Sequence, residues 1–200
     1  GEQRCLMVHK IMPADKTSMR KTLRQLRNDL SLTQRRTAET QALSLLNRWP
    51  AWHKARVIAS YLPHQSEFDP RCLSQHMSSE GATIVYPRVT DDGLRFHCWR
   101  SGDPLETTIG GVNQPLATSP PVTLSQIDLF ITPMLACGDN GIRLGYGGGY
   151  YDRIISEARG FRLGVGFSLQ RVDGWETEPH DERLWGFLSE LRVELFSAKK

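Results

Sequence analysis

No uncharged apolar run in this sequence approaches the roughly 18 residues that a membrane-spanning helix needs. The most apolar early stretch, Cys5 to Met12, is already broken by His9 and Lys10, and no small-residue cleavage site follows it, so no secretory signal is read. Cysteine is scarce: Cys5, Cys72, Cys98 and Cys137 lie in separate parts of the chain, with no Cys-x-x-Cys pair. Cys72 with His76, and His97 with Cys98, match no zinc spacing. Free thiols in the cytoplasm are therefore expected. There is no internal repeat. Apolar residues at 39% and charged residues at 24%, with 17 Gly and 11 Pro, exclude collagen-like and disordered chains. A chain of 200 residues fits one large domain, able to bury about 70% of its unfolded surface.

What is present is charge of uneven sign. Residues 1–56 hold twelve Lys/Arg against four Asp/Glu, whereas residues 57–200 hold thirteen against eighteen. A basic end points to an anionic partner or to a solvated helix face. Met19, Leu23, Leu26 and Leu30 recur at helical spacing, and Arg20, Arg24 and Arg27 form a second stripe beside them. The stripe has no interleaved aromatics and the rest of the chain is acidic, which argues against a nucleic-acid partner.

Residues 1–16 lack periodicity and are expected to form a mobile arm, with 17–200 a single domain. Ser31 with Gln34 is a capping-box pattern opening a second helix that Pro50 stops. Val57–Leu62 reads as a buried strand, Asp69 and Pro70 as the cap and first residue of a helix to about Ser79, and Thr83–Tyr86 and Leu94–Trp99 as strands. Residues 101–121, rich in Gly, Pro and Thr, read as a long surface connection. Ile127–Thr132, Leu163–Phe167 and Arg192–Phe196 read as further strands, and Tyr150–Ala158 as a helix. Strands alternating with helices predict an α/β three-layer sandwich around a mostly parallel sheet, with basic N-terminal helices.

The chemistry concentrates in Gly138–Arg153. Gly145, Gly147, Gly148 and Gly149 fall between a predicted strand and a predicted helix, where glycine allows positive φ and close backbone approach to a ligand. Backbone N–H groups at a helix start make an anion site, to which Arg143 can add a bidentate phosphate contact and Asp152 a hard oxygen ligand for Mg²⁺. No Lys follows the glycines as a P-loop requires. Tyr150 stands where the dinucleotide fingerprint needs its third Gly, and the loop begins well beyond the preceding strand end at Thr132. Taken alone, these residues leave open a phosphate-ligand binder, such as a relative of sugar-phosphate enzymes, on an α/β scaffold.

The run Arg143-Leu-Gly-Tyr-Gly-Gly-Gly-Tyr-Tyr-Asp152 closely resembles the signature of the 5-formyltetrahydrofolate cyclo-ligase (methenyltetrahydrofolate synthetase) family. Arg20-Lys-Thr-Leu-Arg24 is similar to its basic N-terminal segment, Tyr61-Leu-Pro-His-Gln-Ser-Glu67 to its strand-then-Glu element, and His180-Asp181 to its C-terminal part. The resemblance implies ATP- and Mg²⁺-dependent conversion of 5-formyltetrahydrofolate to 5,10-methenyltetrahydrofolate, through phosphorylation of the formyl oxygen; a monomer in the cytoplasm is expected. It further implies that Arg20, Lys21, Arg24, Arg143 and the 144–151 segment (Leu144, Gly145, Tyr146, Gly147, Gly148, Gly149, Tyr150, Tyr151) meet ATP. By the same resemblance Leu62, Glu67, Tyr146, Gly147, Gly148, Gly149 and Tyr150 meet the folate, and Asp152 and Asp181 hold Mg²⁺. Arg143, Glu67 and Tyr150 would act closest to the reaction. Gly148 stands where some members carry Lys, leaving more of the charge neutralisation to Arg143 and the first helix.

Overall fold

The computed structural model describes residues 15–197. The arm expected over 1–16 lies outside the described residues as far as residue 14, and Asp15 opens the first helix. Helix α1 (Lys16–Asn28) is capped by the Asp15 carboxylate, which accepts from the Ser18 amide at 2.8 Å. Met19 and Leu23 are buried on its inner face. Helix α2 (Leu32–Leu46) carries the expected capping box between Ser31 and Gln34. It ends before Pro50, which opens a short 3-10 turn instead.

The chain continues through β1 (Val57–Ala59), α3 (Arg71–Ser79), β2 (Thr83–Thr90), β3 (Gly93–Cys98), β4 (Leu105–Thr107), β5 (Asn113–Pro115), β6 (Pro121–Val122) and β7 (Leu129–Thr132). Then follow β8 (Ala136–Cys137), β9 (Arg143–Leu144), α4 (Tyr150–Glu157), β10 (Phe161–Val165), β11 (Gly186–Leu188) and β12 (Val193–Leu195). Eight strands form one sheet in the order β12-β11-β10-β7-β1-β2-β3-β6. The five from β11 to β2 run parallel, and the pairings at both edges are antiparallel.

Alternation along the buried strands sorts side chains to two faces. Ile58, Leu129 and Ile131 join Met19, Leu23, Ala42 and Leu73 from α1–α3, whereas Ala59 and Phe130 join Ile154 from α4. The result is the three-layer α/β sandwich that the alternation of elements predicts. From β1 the chain crosses first to β2 and then returns past β1 to β7, so the connections diverge between β1 and β7. Ligands of open α/β sheets bind outside the carboxyl ends of strands at such a point.

Several boundaries differ from expectation for local reasons. β1 stops at Ala59, and Tyr61 and Leu62 beyond it line the cleft. Helix α3 takes Pro70 as its cap, because Asp69 spends its side chain on the Arg71 amide and guanidinium. β2 runs on to Thr90 and turns through Asp91-Asp92 into Gly93, which takes φ +125°. Residues 101–121, expected as a bare connection, contain the β4–β5 hairpin and the start of β6. Those strands are too short to show alternation, as are β8, β9 and β11, which the sequence pattern does not announce.

A polar cluster ties α2 to α3. Arg36 reaches Glu39 at 2.7 Å and Asp69 at 3.2 Å, Arg71 reaches Asp69 at 2.6 Å, and the Asp69 amide donates to Glu39 at 3.1 Å. Burial pushes both carboxyls up; at Asp69 the Arg71 hydrogen bonds outweigh it and the group titrates below its ordinary value, whereas Glu39 remains raised. A depressed carboxyl contributes stability above its unfolded pKa and loses it as pH falls through the folded value. Asp69→Asn is therefore expected to cost about 1–3 kcal/mol at neutral pH. The gap to wild type in urea unfolding should close as pH falls below the carboxylate range, and a gap independent of pH would contradict the assignment.

Candidate active site

A cleft of about 1320 Å³ opens where β1 and β7 end. Two chain segments leave the sheet there and supply its floor. Beyond β1, the Tyr61 hydroxyl donates to the Phe68 carbonyl at 2.6 Å, closing the loop that presents Leu62 and Glu67. Beyond β7, the Pro133 carbonyl accepts from Arg143 Nε at 3.0 Å and Nη2 at 2.7 Å. Arg143 is buried, with the Tyr151 ring 5.2 Å from its guanidinium and the Asp152 carboxylate 3.4 Å from Nη1. Burial lowers its pKa and those neighbours oppose the shift.

The glycine-rich loop lies over this charge. A β-carbon at Gly145 would come within 2.7 Å of Arg143 Nη1, and Gly147 takes φ +100°, so side chains are excluded at both positions for different reasons. Gly149, also left-handed, stands at the cap position of α4 with no side-chain cap bond. The amides opening α4 are thus available to an anion. Arg20 Nε donates to the Gly145 carbonyl at 2.9 Å, which docks α1 on the loop. The buried Tyr151 hydroxyl has no hydrogen-bond partner among the described residues.

A second set of contacts runs from α1 to Glu67. Arg27, buried in α1, donates from Nε to Ser66 Oγ at 3.0 Å and from Nη1 to the Tyr146 hydroxyl at 2.7 Å. That hydroxyl donates to Glu67 Oε2 at 3.2 Å, and the His64 amide donates to Glu67 Oε1 at 3.0 Å. Burial raises the Glu67 pKa against the opposing pull of Arg27, the His64 amide, Tyr146 and Arg143. Arg24 and Arg27 both lie 5.6 Å from the Tyr146 ring centroid.

Arg20, Arg24, Leu62, Glu67, Asp181 and every residue of 143–152 line the one cleft. Lys21 does not: it is exposed, about 100° around the helix from Arg20. The residue that shares the face of Arg20 and Arg24 is Arg27, and the stripe spacing carried that signal. Asp152 and Asp181 have separate partners, Asp152 on Arg143 and Asp181 on Lys16 at 2.8 Å. Asp181 groups with Glu178 and His180, their ligand atoms lying within 4.8 Å of one another.

The cleft lining also includes an apolar group, Pro87, Val89, Leu94, Ile109 and Val112. Ile109 and Val112 belong to the β4–β5 hairpin, whose base is held by Arg88 on Glu106 and on the Pro115 carbonyl at 2.9 Å. Its tip is fully exposed at Ile109 and meets His64, since a β-carbon at Gly111 would lie 3.6 Å from Cε1. The Gly-, Pro- and Thr-rich composition of residues 101–121 does not by itself mark this flap beforehand.

A model of the 5-formyltetrahydrofolate cyclo-ligase family matches residues 12–189. The 5-formyltetrahydrofolate cyclo-ligase of Haemophilus influenzae is 28% identical over 181 residues, covering 85% of this chain and 95% of that protein. The enzyme of that name from Mycolicibacterium smegmatis is 27% identical over 190 residues, covering 90% and 96%. Among solved structures, Aquifex aeolicus 5,10-methenyltetrahydrofolate synthetase superposes with a TM-score of 0.80 at 25% identity, over 92% of this chain and 94% of that one.

The loop amides and the Arg20 guanidinium are donors of the kind that phosphate oxygens accept from. Arg20→Ala removes one cation and the bond that docks α1 on Gly145, so tripolyphosphate affinity measured by calorimetry is expected to fall about tenfold. Lys21→Ala should leave it unchanged. Equal losses in the two variants would mean that α1 acts by diffuse charge alone.

Proposed function

The chain belongs to the 5-formyltetrahydrofolate cyclo-ligase family, and on that footing we propose that it converts 5-formyltetrahydrofolate and MgATP into 5,10-methenyltetrahydrofolate, ADP and phosphate. The observation that carries the proposal is the pairing, in one cleft, of a cationic glycine-rich loop with an apolar group and Glu67. Its volume exceeds the roughly 300–1,000 Å³ of a single-ligand pocket and suits a nucleotide beside a pteridine.

The residues present fit both groups. Loop amides, Arg20, Arg24 and the buried Arg143 suit phosphates, and the unpartnered Tyr151 hydroxyl lies beside Arg143. The Asp152 and Asp181 carboxylates are donors of the kind Mg²⁺ takes, and we assign them to it. ATP, when bound, supplies the phosphoryl group that turns the formyl oxygen into a leaving group. Arg143, fixed on Pro133 and shielded from water, neutralises charge developing on the transferred group without reorganising. Leu62, Glu67, Tyr146 and Tyr150 hold the folate so that its formyl oxygen faces the phosphates and N10 faces the formyl carbon. We propose that the chain acts as a monomer.

The test is near-ultraviolet absorbance of protein with 5-formyltetrahydrofolate, with and without MgATP. The conjugated methenyl product should accumulate only with MgATP, and a flat trace from folded protein would sink the proposal. Asp152→Asn should lower turnover about 100-fold or more in protein that is still folded by circular dichroism. Near-normal turnover would remove Asp152 from the metal site.

A further inference from the structure

The contacts of Arg27 have no counterpart in the assignments above. Arg27 is a buried cation without a direct carboxylate partner among the described residues. Its two side-chain hydrogen bonds go to hydroxyls, Ser66 Oγ at 3.0 Å and Tyr146 Oη at 2.7 Å. Burying a guanidinium is costly unless the charge is answered nearby. The answering group is Glu67, one hydrogen bond further on, at 3.2 Å from Tyr146 Oη. The phenol thus accepts from the cation and donates to the carboxylate, a chain in which each bond polarises the next. It also ties together three segments that are distant in sequence: α1, the loop after β1 and the glycine-rich loop.

We propose that Arg27 is a positioning residue, which acts through the Tyr146 hydroxyl to hold Glu67 as an oriented carboxylate facing the folate. The inference rests on the cyclo-ligase reading for the identity of that ligand. Glu67 is faced by Arg27 from α1, Tyr146 from the glycine-rich loop, Arg143 from β9, Tyr151 from α4, Tyr61 from the end of β1 and the His64 amide of its own loop. Burial favours its neutral form, whereas the two cations, the His64 amide and the donating Tyr146 hydroxyl favour the charged one. Arg143 is engaged with Pro133 and Asp152, whereas Arg27 has no other carboxylate to serve, so removing Arg27 or the Tyr146 hydroxyl should shift the balance toward the neutral form.

The test measures kcat/KM against pH for wild type, Arg27→Met, Arg27→Lys and Tyr146→Phe, alongside 5-formyltetrahydrofolate affinity from tryptophan quenching over the same range. In Arg27→Met and Tyr146→Phe the acid limb of both profiles should move to higher pH, giving a loss of about tenfold at the acid end that recovers at the alkaline end. Arg27→Lys keeps the charge but lacks the fork that spans Ser66 and Tyr146. It should hold the limb in place while lowering the plateau about tenfold. Limbs that stay fixed while all variants lose activity evenly would overturn the proposal and leave Arg27 a packing residue. Tyr146→Phe keeps the ring between its guanidinium neighbours, so it decides the matter if Arg27→Met does not fold. A wild type that binds folate with the predicted pH behaviour but forms no methenyl product would sink the cyclo-ligase reading and spare this one. Wild type that binds no folate would overturn both.

Discussion

The Arg143 charge, buried at the end of β7 and fixed on the Pro133 carbonyl, sets the terms for everything around it. A guanidinium cannot shed its charge by deprotonation, so a site that buries one must supply acceptors and leave room for an anion. Pro133 supplies the acceptors, and Asp152 supplies part of the counter-charge from 3.4 Å. The glycine at 145 follows from the same constraint, because any side chain there would strike the guanidinium. The loop can then lie flat over the charge with its amides and the start of α4 facing the same space.

Helix α1 carries the second half of the design. Its apolar face, Met19 and Leu23, is core, and its basic face is cleft. One rigid element therefore fixes the phosphate side through Arg20 on Gly145 and the Glu67 side through Arg27 on Tyr146. Packing energy from the core is used to hold charged groups in register across the cleft, which loop residues alone would not do. The crossover at β1 and β7 provides the floor, and the β4–β5 hairpin adds the apolar side chains of Ile109 and Val112 to the lining.

How much of this the sequence disclosed depends on the scale of each signal. The layered α/β architecture follows from long periodic segments such as Met19–Leu30 and from apolar strands such as Leu129–Thr132. The 143–152 run marked the cleft because glycines, a cation and a carboxylate at fixed spacing are rare together. Strands of two or three residues, β4, β5, β8, β9 and β11, were illegible because so short a segment carries no period. Lys21 against Arg27 illustrates a different limit. A contiguous basic motif drew attention to Lys21, while the 3.6-residue turn puts Arg27 on the face of Arg20 and Arg24. The separate pairing of Asp152 with Arg143, and of Asp181 with Lys16, is a tertiary fact with no local signature.

The central claim is that this one cleft brings the formyl oxygen of the folate to the phosphoryl donor. It is tested most directly by turning over 5-formyltetrahydrofolate labelled with ¹⁸O in the formyl group and weighing the released phosphate by mass spectrometry. If the formyl oxygen attacks phosphorus and departs with it, each phosphate formed carries one ¹⁸O. Unlabelled phosphate formed alongside methenyltetrahydrofolate would show that water, not the formyl oxygen, took the phosphoryl group, and would contradict the account.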